Sequence, residues 1–209
     1  RAPPNELRSG EGETKMSLIV LIGGQAVGKM TVGKELEKMI DGKLLFNHQT
    51  IDLYANFLGY TPETFRLSDQ TRKMLFRTFS ANTETNLVEH LIFTVMIDFD
   101  SRDDRQFLQD IATIFQEEQQ EVYFIQLTTD LNTRLTRNQH PDRLAAKPSK
   151  RNLASSRNEL LTTAQNYRLS LPAAEFATSF PEIFTLTIDN TELSAVDCAQ
   201  TIKQHFNLS

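Results

Sequence analysis

A parallel α/β sheet is the fold this chain predicts, and three observations predict it. An apolar run drops into a glycine-rich G-x-x-x-x-G-K turn, a second and nearly unbroken apolar run stands in mid-chain, and such runs alternate with helical patterns. Leu18 to Ile22 is the first strand, and it leads directly into Gly23-Gly24-Gln25-Ala26-Val27-Gly28-Lys29-Met30-Thr31. A helix follows, with Val32, Leu36, Met39 and Ile40 at helical spacing and Gly42 where a C-terminal cap would sit.

Lys43 to Phe46 reads as a short second strand. An insert of helices spans about 52–90, with Ser68 as a cap and Leu75, Phe76 and Phe79 as apolar anchors. Leu91 to Ile97 is nearly continuous apolar sequence, as expected of a central parallel strand covered on both faces, and it ends at Asp98. Ser101 and Asp104 form a capping-box-like pair before the amphipathic stripe Phe107, Leu108, Ile111, Ile114 and Phe115. Val122 to Leu127 is the fourth strand, and Asp130 caps a short helix. A polar segment over about 139–155, broken by Pro141 and Pro148, reads as a loop or lid. A helix over about 157–168 then carries Ser156 and Glu159 as its capping box, a proline-containing connection follows, Ile183 to Ile188 is the fifth strand, and a last helix runs from Ser194 to about Phe206. In such sheets ligands bind at the carboxyl ends of the strands, the edge where Gly23, Asn47, Asp98 and Asn190 all fall.

The glycine-rich turn is a phosphate cradle. Its glycines let successive main-chain N–H groups converge on phosphate oxygens, the helix beginning near Gly28 aims its positive end at the same point, and Lys29 adds a point charge. Chance would produce G-x4-G-K about once in a few thousand positions. A second register, Gly28-x4-Gly33-Lys34, lacks a preceding strand and falls inside the helix. One position departs from the pattern: the hydroxyl residue expected after Lys29 to hold Mg2+ is Met30, a poor ligand for a hard cation, and Thr31 comes one place later.

At 209 residues and a net charge of −5, the chain is long enough for a substantial core and has no general attraction to nucleic acid or anionic lipid. A single cysteine, Cys198, excludes an internal disulfide framework and a cysteine-rich zinc site, and favours the cytoplasm. No apolar run is long enough to span a bilayer, so no membrane association is expected. Residues 1–15 are polar and rich in Pro, Gly and Glu; they are expected to be a flexible leader, with 16–209 as one domain.

The chain resembles the P-loop small-molecule kinases, the group that holds shikimate kinase, gluconate kinase and nucleoside monophosphate kinases. Three segments carry the likeness: Gly23 to Thr31 followed by Val32-Gly33, Arg134-Leu135-Thr136-Arg137 before a basic lid, and Ile188-Asp189-Asn190-Thr191 before the final helix. It is most similar to shikimate-kinase-like or AAA-type kinases bearing an Asn-His-x-Thr-Ile-Asp segment, here Asn47 to Asp52. The resemblance implies a three-layer α/β/α core with strand order 2-3-1-4-5, a helical substrate-binding insert, a mobile lid, and the use of ATP and Mg2+ on a small-molecule phosphoryl acceptor. The family's acceptor carboxylate after the second strand is replaced here by Asn47 and His48, with Asp52 a possible stand-in.

The candidate site follows from these readings. Gly23, Gly24, Gln25, Ala26, Val27, Gly28, Lys29, Met30 and Thr31 would bind the nucleotide, with Arg137 and Asn190 beside it. Lys29 would neutralise the β- and γ-phosphates. Asp98 would orient magnesium or serve as a base, with Thr31 as the second metal contact; a turn or capping role is its rival. Between Arg134 and Arg157 seven basic residues face one acid, and Arg143 and Arg151 are the expected lid arginines. Asn47, His48 and Asp52 would contact the acceptor, and Arg66 and Arg72, with Arg77, would either clamp it if it is anionic or pair with nearby acids. Two other functions fit the same residues: a nucleotide-binding regulatory or scaffold protein that has lost transfer, motivated by Met30 and the Asn47-His48 segment, and a nucleic-acid end kinase, which only the basic lid supports.

Overall fold

The computed structural model describes residues 16–146 and 151–209. Five strands, β1 (Ser17–Ile22), β2 (Gly42–Phe46), β3 (His90–Val95), β4 (Glu121–Thr128) and β5 (Phe184–Asp189), pair in parallel in the order β2-β3-β1-β4-β5. β1 lies at the centre, with Ser17 opposite His90 and Glu121, and Ile22 opposite Val95 and Gln126. The carboxyl ends of β1, β3 and β4 therefore come out beside one another, and the loops that leave them share one edge.

Period-two alternation divides the core between the two faces of the sheet. Leu18, Val20 and Ile22 pack with Phe76, Leu108, Ile111, Phe115 and Phe176, whereas Ile19 and Leu21 pack with Val32, Leu36, Ala199 and Ile202. The first face is covered by α3 (Pro62–Ala81), α4 (Arg102–Gln116) and α8 (Ala173–Ser179), the second by α1 (Lys29–Met39) and α9 (Ala195–Phe206). Every residue of β1 is buried, because helices cover both faces. Each such aliphatic side chain contributes about 1.5–3 kcal/mol by leaving water. The remaining helices are α2 (Asn47–Leu58), α5 (Leu131–Arg137), α6 (Pro141–Ala146) and α7 (Leu153–Asn166).

Several helix ends fall where expected. The Ser101 hydroxyl accepts the N–H of Asp104 at 3.3 Å, Asp130 accepts that of Thr133 at 2.9 Å, and Ser194 accepts that of Asp197 at 3.1 Å. Others differ, each for a visible reason. Gly42 is no helix cap: α1 closes on Ile40, whose extended backbone returns its N–H to Leu36, and Gly42 opens β2. Ser68 lies buried inside α3, which starts instead at Thr61 and Pro62, a stronger pairing of N-cap and first-turn proline. Ser156 lies buried inside α7, which Asn152 caps by accepting the N–H of Ser155 at 3.0 Å. Leu75 is 44% exposed while its neighbour Phe76 is fully buried, so the insert's apolar stripe runs through Phe76 alone at that turn. The segment expected as an open loop or lid contains α6, begun by Pro141, and the proline-containing connection contains α8. The expected leader lies outside the described residues. Among the described residues no helix is long and apolar enough to cross a membrane.

Candidate active site

The turn between β1 and α1 is shaped by two glycines. Gly28 sits at φ 98°, a left-handed backbone that glycine adopts without strain. A Cβ on Gly23 would stand 2.6 Å from the carbonyl oxygen of Leu127, so the turn presses against the end of β4. Its carbonyls are taken up one after another. Lys29 Nζ donates to Gly23 O at 2.5 Å and Gly24 O at 2.7 Å, Arg134 Nε donates to Gln25 O at 2.8 Å, and Asn190 Nδ2 donates to Val27 O at 2.8 Å. Arg137 reinforces the last of these, with Nη1 3.4 Å from Val27 O and Nη2 2.9 Å from Asn190 O. The Thr129 hydroxyl donates to Asn190 Oδ1, which fixes the amide so that its NH2 faces the turn.

This turn forms one wall of a cavity of about 390 Å3 at the carboxyl edge of the sheet. Of the residues expected in the site, Gln25, Ala26, Gly28, Lys29, Met30 and Thr31 line it, and so do Arg137, Asn190, Asn47 and His48. Gly23, Gly24 and Val27 stand behind that wall as the backbone of the turn. Thr31 is exposed at the first turn of α1.

Asn47 and His48 reach the cavity because α2 begins directly where β2 ends. The N–H of Asn47 donates to Thr94 Oγ1 at 3.1 Å and its carbonyl accepts from Arg72 Nη2 at 2.9 Å, while its Oδ1 is buried with no hydrogen-bond partner among the described residues. His48 Nδ1 lies 3.2 Å from Asp52 Oδ1, one helical turn on, and the Tyr60 hydroxyl donates to the same oxygen at 2.9 Å.

The other expected residues are not brought together here. Arg72 is 4% exposed and its guanidinium is fully engaged: Nε donates to Thr50 Oγ1 at 2.8 Å, Nη1 to Asp69 at 3.0 Å and Nη2 to Asn47 O, and the group lies 5.4 Å from the Phe93 ring centre. Burial lowers its pKa to about 10, against the opposing charge of Asp69. It ties the insert to the sheet and presents no face to an acceptor. Arg66 is exposed and paired with Glu63 at 2.7 Å. Asp98 lies beyond β3, with Oδ1 accepting the N–H of Asp100 at 3.1 Å and of Arg168 at 3.0 Å, and it does not line the cavity; the turn-forming role fits it. Asp52 stands behind His48 rather than on the cavity wall. Arg151 is exposed and donates to the Leu144 carbonyl at 3.2 Å. The side chain of Arg143 lies outside the described residues. Among the described residues no group of three His, Cys, Asp or Glu side chains is placed to hold a metal ion.

Four contributors escaped the sequence reading. Arg134, read only as part of the motif before the basic lid, is buried against the turn, and burial pushes its pKa down; its position three residues before Arg137 on one face of α5 was the available signal. Thr94 lines the cavity and was legible as the lone hydroxyl within the apolar run from Leu91 to Ile97. His140 and Glu159 also line it; Glu159 was expected as the capping-box partner of Ser156 but lies inside α7, and no spacing in the sequence marked His140.

No protein-family model matches the sequence, and no curated protein matches it. Solved structures do. A candidate kinase from Chloroflexus aurantiacus J-10-fl superposes with a TM-score of 0.56 at 19% identity, covering 94% of this chain and 98% of its own. A sugar kinase from Janibacter sp. HTCC2649 gives 0.53 at 11% identity, over 93% and 96%. Shikimate kinase from Acinetobacter baumannii, solved with shikimate, gives 0.51 at 18% identity, over 92% and 93%. This chain has the fold of the P-loop small-molecule kinases.

Proposed function

We propose that this protein is an ATP-dependent phosphotransferase that moves the γ-phosphoryl group to a small-molecule acceptor. One observation carries the reading: the carbonyls of Gly23, Gly24, Gln25 and Val27 are each taken up by a side-chain donor. Among the described residues, the N–H groups of Gly24 to Gly28 meet no main-chain acceptor. A turn so wired presents converging amide donors, an ammonium and a helix N-terminus to a polyphosphate.

In this reading Lys29 and Arg137 balance phosphate charge. Magnesium would arrive on the triphosphate with part of its water shell retained. Thr31, which lines the cavity, would meet the ion directly or through water, and Met30 would not. Asn47 and His48 form the acceptor side. The single cysteine supports a cytoplasmic location, and the overall negative charge argues against nucleic acid as acceptor.

The test is calorimetry with MgATP together with γ-phosphoryl transfer to a metabolite panel, for the wild type and Lys29→Met. Loss of transfer in the variant is expected, and undiminished binding and transfer would refute the assignment. One observation favours the nucleotide-binding regulator instead: Asp98, the carboxylate nearest the end of β3, is taken up by main-chain N–H groups. Tight MgATP binding with no transfer to any acceptor would select that reading.

A further inference from the structure

We propose that His48, oriented by Asp52, is the base that takes the proton from the acceptor, and that the accepting group is an alcohol hydroxyl rather than a phosphate. This rests on the phosphotransferase reading and specifies its acceptor side.

The geometry begins with α2. Residues four apart lie on one helix face, which stacks His48 and Asp52 with Nδ1 and Oδ1 3.2 Å apart. A carboxylate only accepts hydrogen bonds, and the Tyr60 hydroxyl already donates to this same oxygen at 2.9 Å. The ring nitrogen facing Asp52 must then be the donor. A neutral ring with its proton on Nδ1 carries its lone pair on Nε2, and His48 lines the same cavity as Lys29 and Thr31. The imidazole is 17% and the carboxylate 24% exposed, so the pair is partly shielded from water. The backbone beneath it is pinned twice, by Thr94 at the Asn47 N–H and by Arg72 at the Asn47 carbonyl.

The step balances as follows. The acceptor O–H bond breaks and its proton passes to Nε2, the oxygen forms a bond to the γ-phosphorus of ATP, and the bond from that phosphorus to the bridging oxygen breaks, its electron pair leaving with ADP. The imidazolium then releases its proton to water. Asp52 keeps its hydrogen bond to Nδ1 and stabilises the charged ring. A phosphate acceptor needs no such base, since its attacking oxygen is already anionic, but it does need cations. Of the three insert arginines that could supply them, Arg72 is committed to Thr50, Asp69 and Asn47 and Arg66 to Glu63, and Arg77 is exposed and does not line the cavity.

The experiment offers MgATP with sugars, polyols and nucleosides beside nucleoside monophosphates, and reads the products by 31P NMR, which separates a phosphate monoester from a phosphoanhydride. Monoester products are expected. Transfer should fall about 10²- to 10⁴-fold in His48→Asn, the range for loss of a general base, while calorimetric affinity for MgATP stays within about twofold of wild type. In parallel, 15N NMR of the His48 ring with a bound, non-hydrolysable ATP analogue should show the Nδ1–H tautomer, and Asp52→Ala should reduce that population. Full transfer in His48→Asn, products confined to phosphoanhydrides, or a tautomer indifferent to Asp52 would each overturn the proposal and leave the kinase reading standing. A wild type that binds MgATP but transfers to nothing would remove both.

Discussion

Arg72 offers the clearest separation between a residue that binds a ligand and one that holds the fold. Consider Arg72→Met, which keeps much of the volume and removes the charge. The variant loses charge-assisted bonds to Asn47 O at 2.9 Å and Thr50 Oγ1 at 2.8 Å, each worth about 1.5–3 kcal/mol. It also loses a cation–π contact with Phe93 at 5.4 Å, worth about 0.5–2 kcal/mol. The bond to Asp69 matters less, because that carboxylate is 48% exposed and water replaces the partner. Thr50 keeps a donor in Ser68 at 2.7 Å, so only the Asn47 carbonyl is stripped of its strongest partner. Against these losses stands the relief of no longer burying a guanidinium, the same cost that lowers its pKa to about 10. The net expectation is a destabilisation of about 2–4 kcal/mol, or about 4–16 °C in Tm for a domain of this size. Thermal unfolding followed by circular dichroism, with MgATP calorimetry on the same samples, reads it: Tm falls and nucleotide affinity is kept. A variant with the wild-type Tm and a raised KM for an anionic acceptor would refute this reasoning and restore Arg72 as an acceptor clamp.

Two further predictions test the turn and the sheet. Gly23→Ala places a methyl 2.6 Å from Leu127 O and 2.9 Å from Val27 Cγ2, so the turn or the end of β4 must shift; overpacking of about 1–3 kcal/mol and at least a tenfold loss of MgATP affinity by calorimetry are expected, and wild-type affinity would show that the turn is not held by that contact. His90 is buried between Ser17 Oγ, 2.8 Å from Nδ1, and Ser209 Oγ, 3.3 Å from Nε2, and burial lowers its pKa below the ordinary 6.5. Above 6.5 the ring is neutral whether the chain is folded or not; as pH falls below that value the unfolded chain takes up the proton first, so stability declines until the folded pKa is passed. Urea midpoints between pH 7.5 and 5 should show that decline in the wild type and a shallower one in His90→Gln, and parallel curves would contradict it.

How much of this was legible without coordinates depends on the range of the interaction concerned. The strand-turn-helix unit from Leu18 to Leu36 is local, with apolar period, glycine placement and helix face all written in adjacent residues, and it folds as read. The strand order followed from family resemblance and matches. Errors gathered where two local signals competed or a distant partner decided. Ser68 and Ser156 each suit an N-cap, yet Thr61-Pro62 and Asn152 lie upstream and start their helices first. Asp98 ends an apolar run as a catalytic carboxylate would, but the N–H that claims it belongs to Arg168, seventy residues away. Arg72 could be read as an acceptor clamp or as a partner of nearby acids, and it does pair with Asp69, but nothing in the sequence shows that Asn47, Thr50 and Phe93 also surround it.

The same range argument explains why the turn needs partners from so far along the chain. Its N–H groups can converge on a phosphate only if the carbonyls point outward, and an outward carbonyl buried against the protein must find a donor. Lys29 supplies one locally, but Gln25 O and Val27 O are met by Arg134, Arg137 and Asn190, which lie on α5 and just past β5. Those elements reach the turn because β4 and β5 stand on one side of β1 with their carboxyl ends level. Sheet order is thus what orients the amides. Arg137 does this while lining the cavity, so a bound phosphate and the Val27 carbonyl would draw on one guanidinium, and filling the site would be felt at Asn190 and the start of α9. Arg134 has no such divided role: it is buried, grips Gln25 O and stays off the cavity wall, which makes it a support of the turn alone.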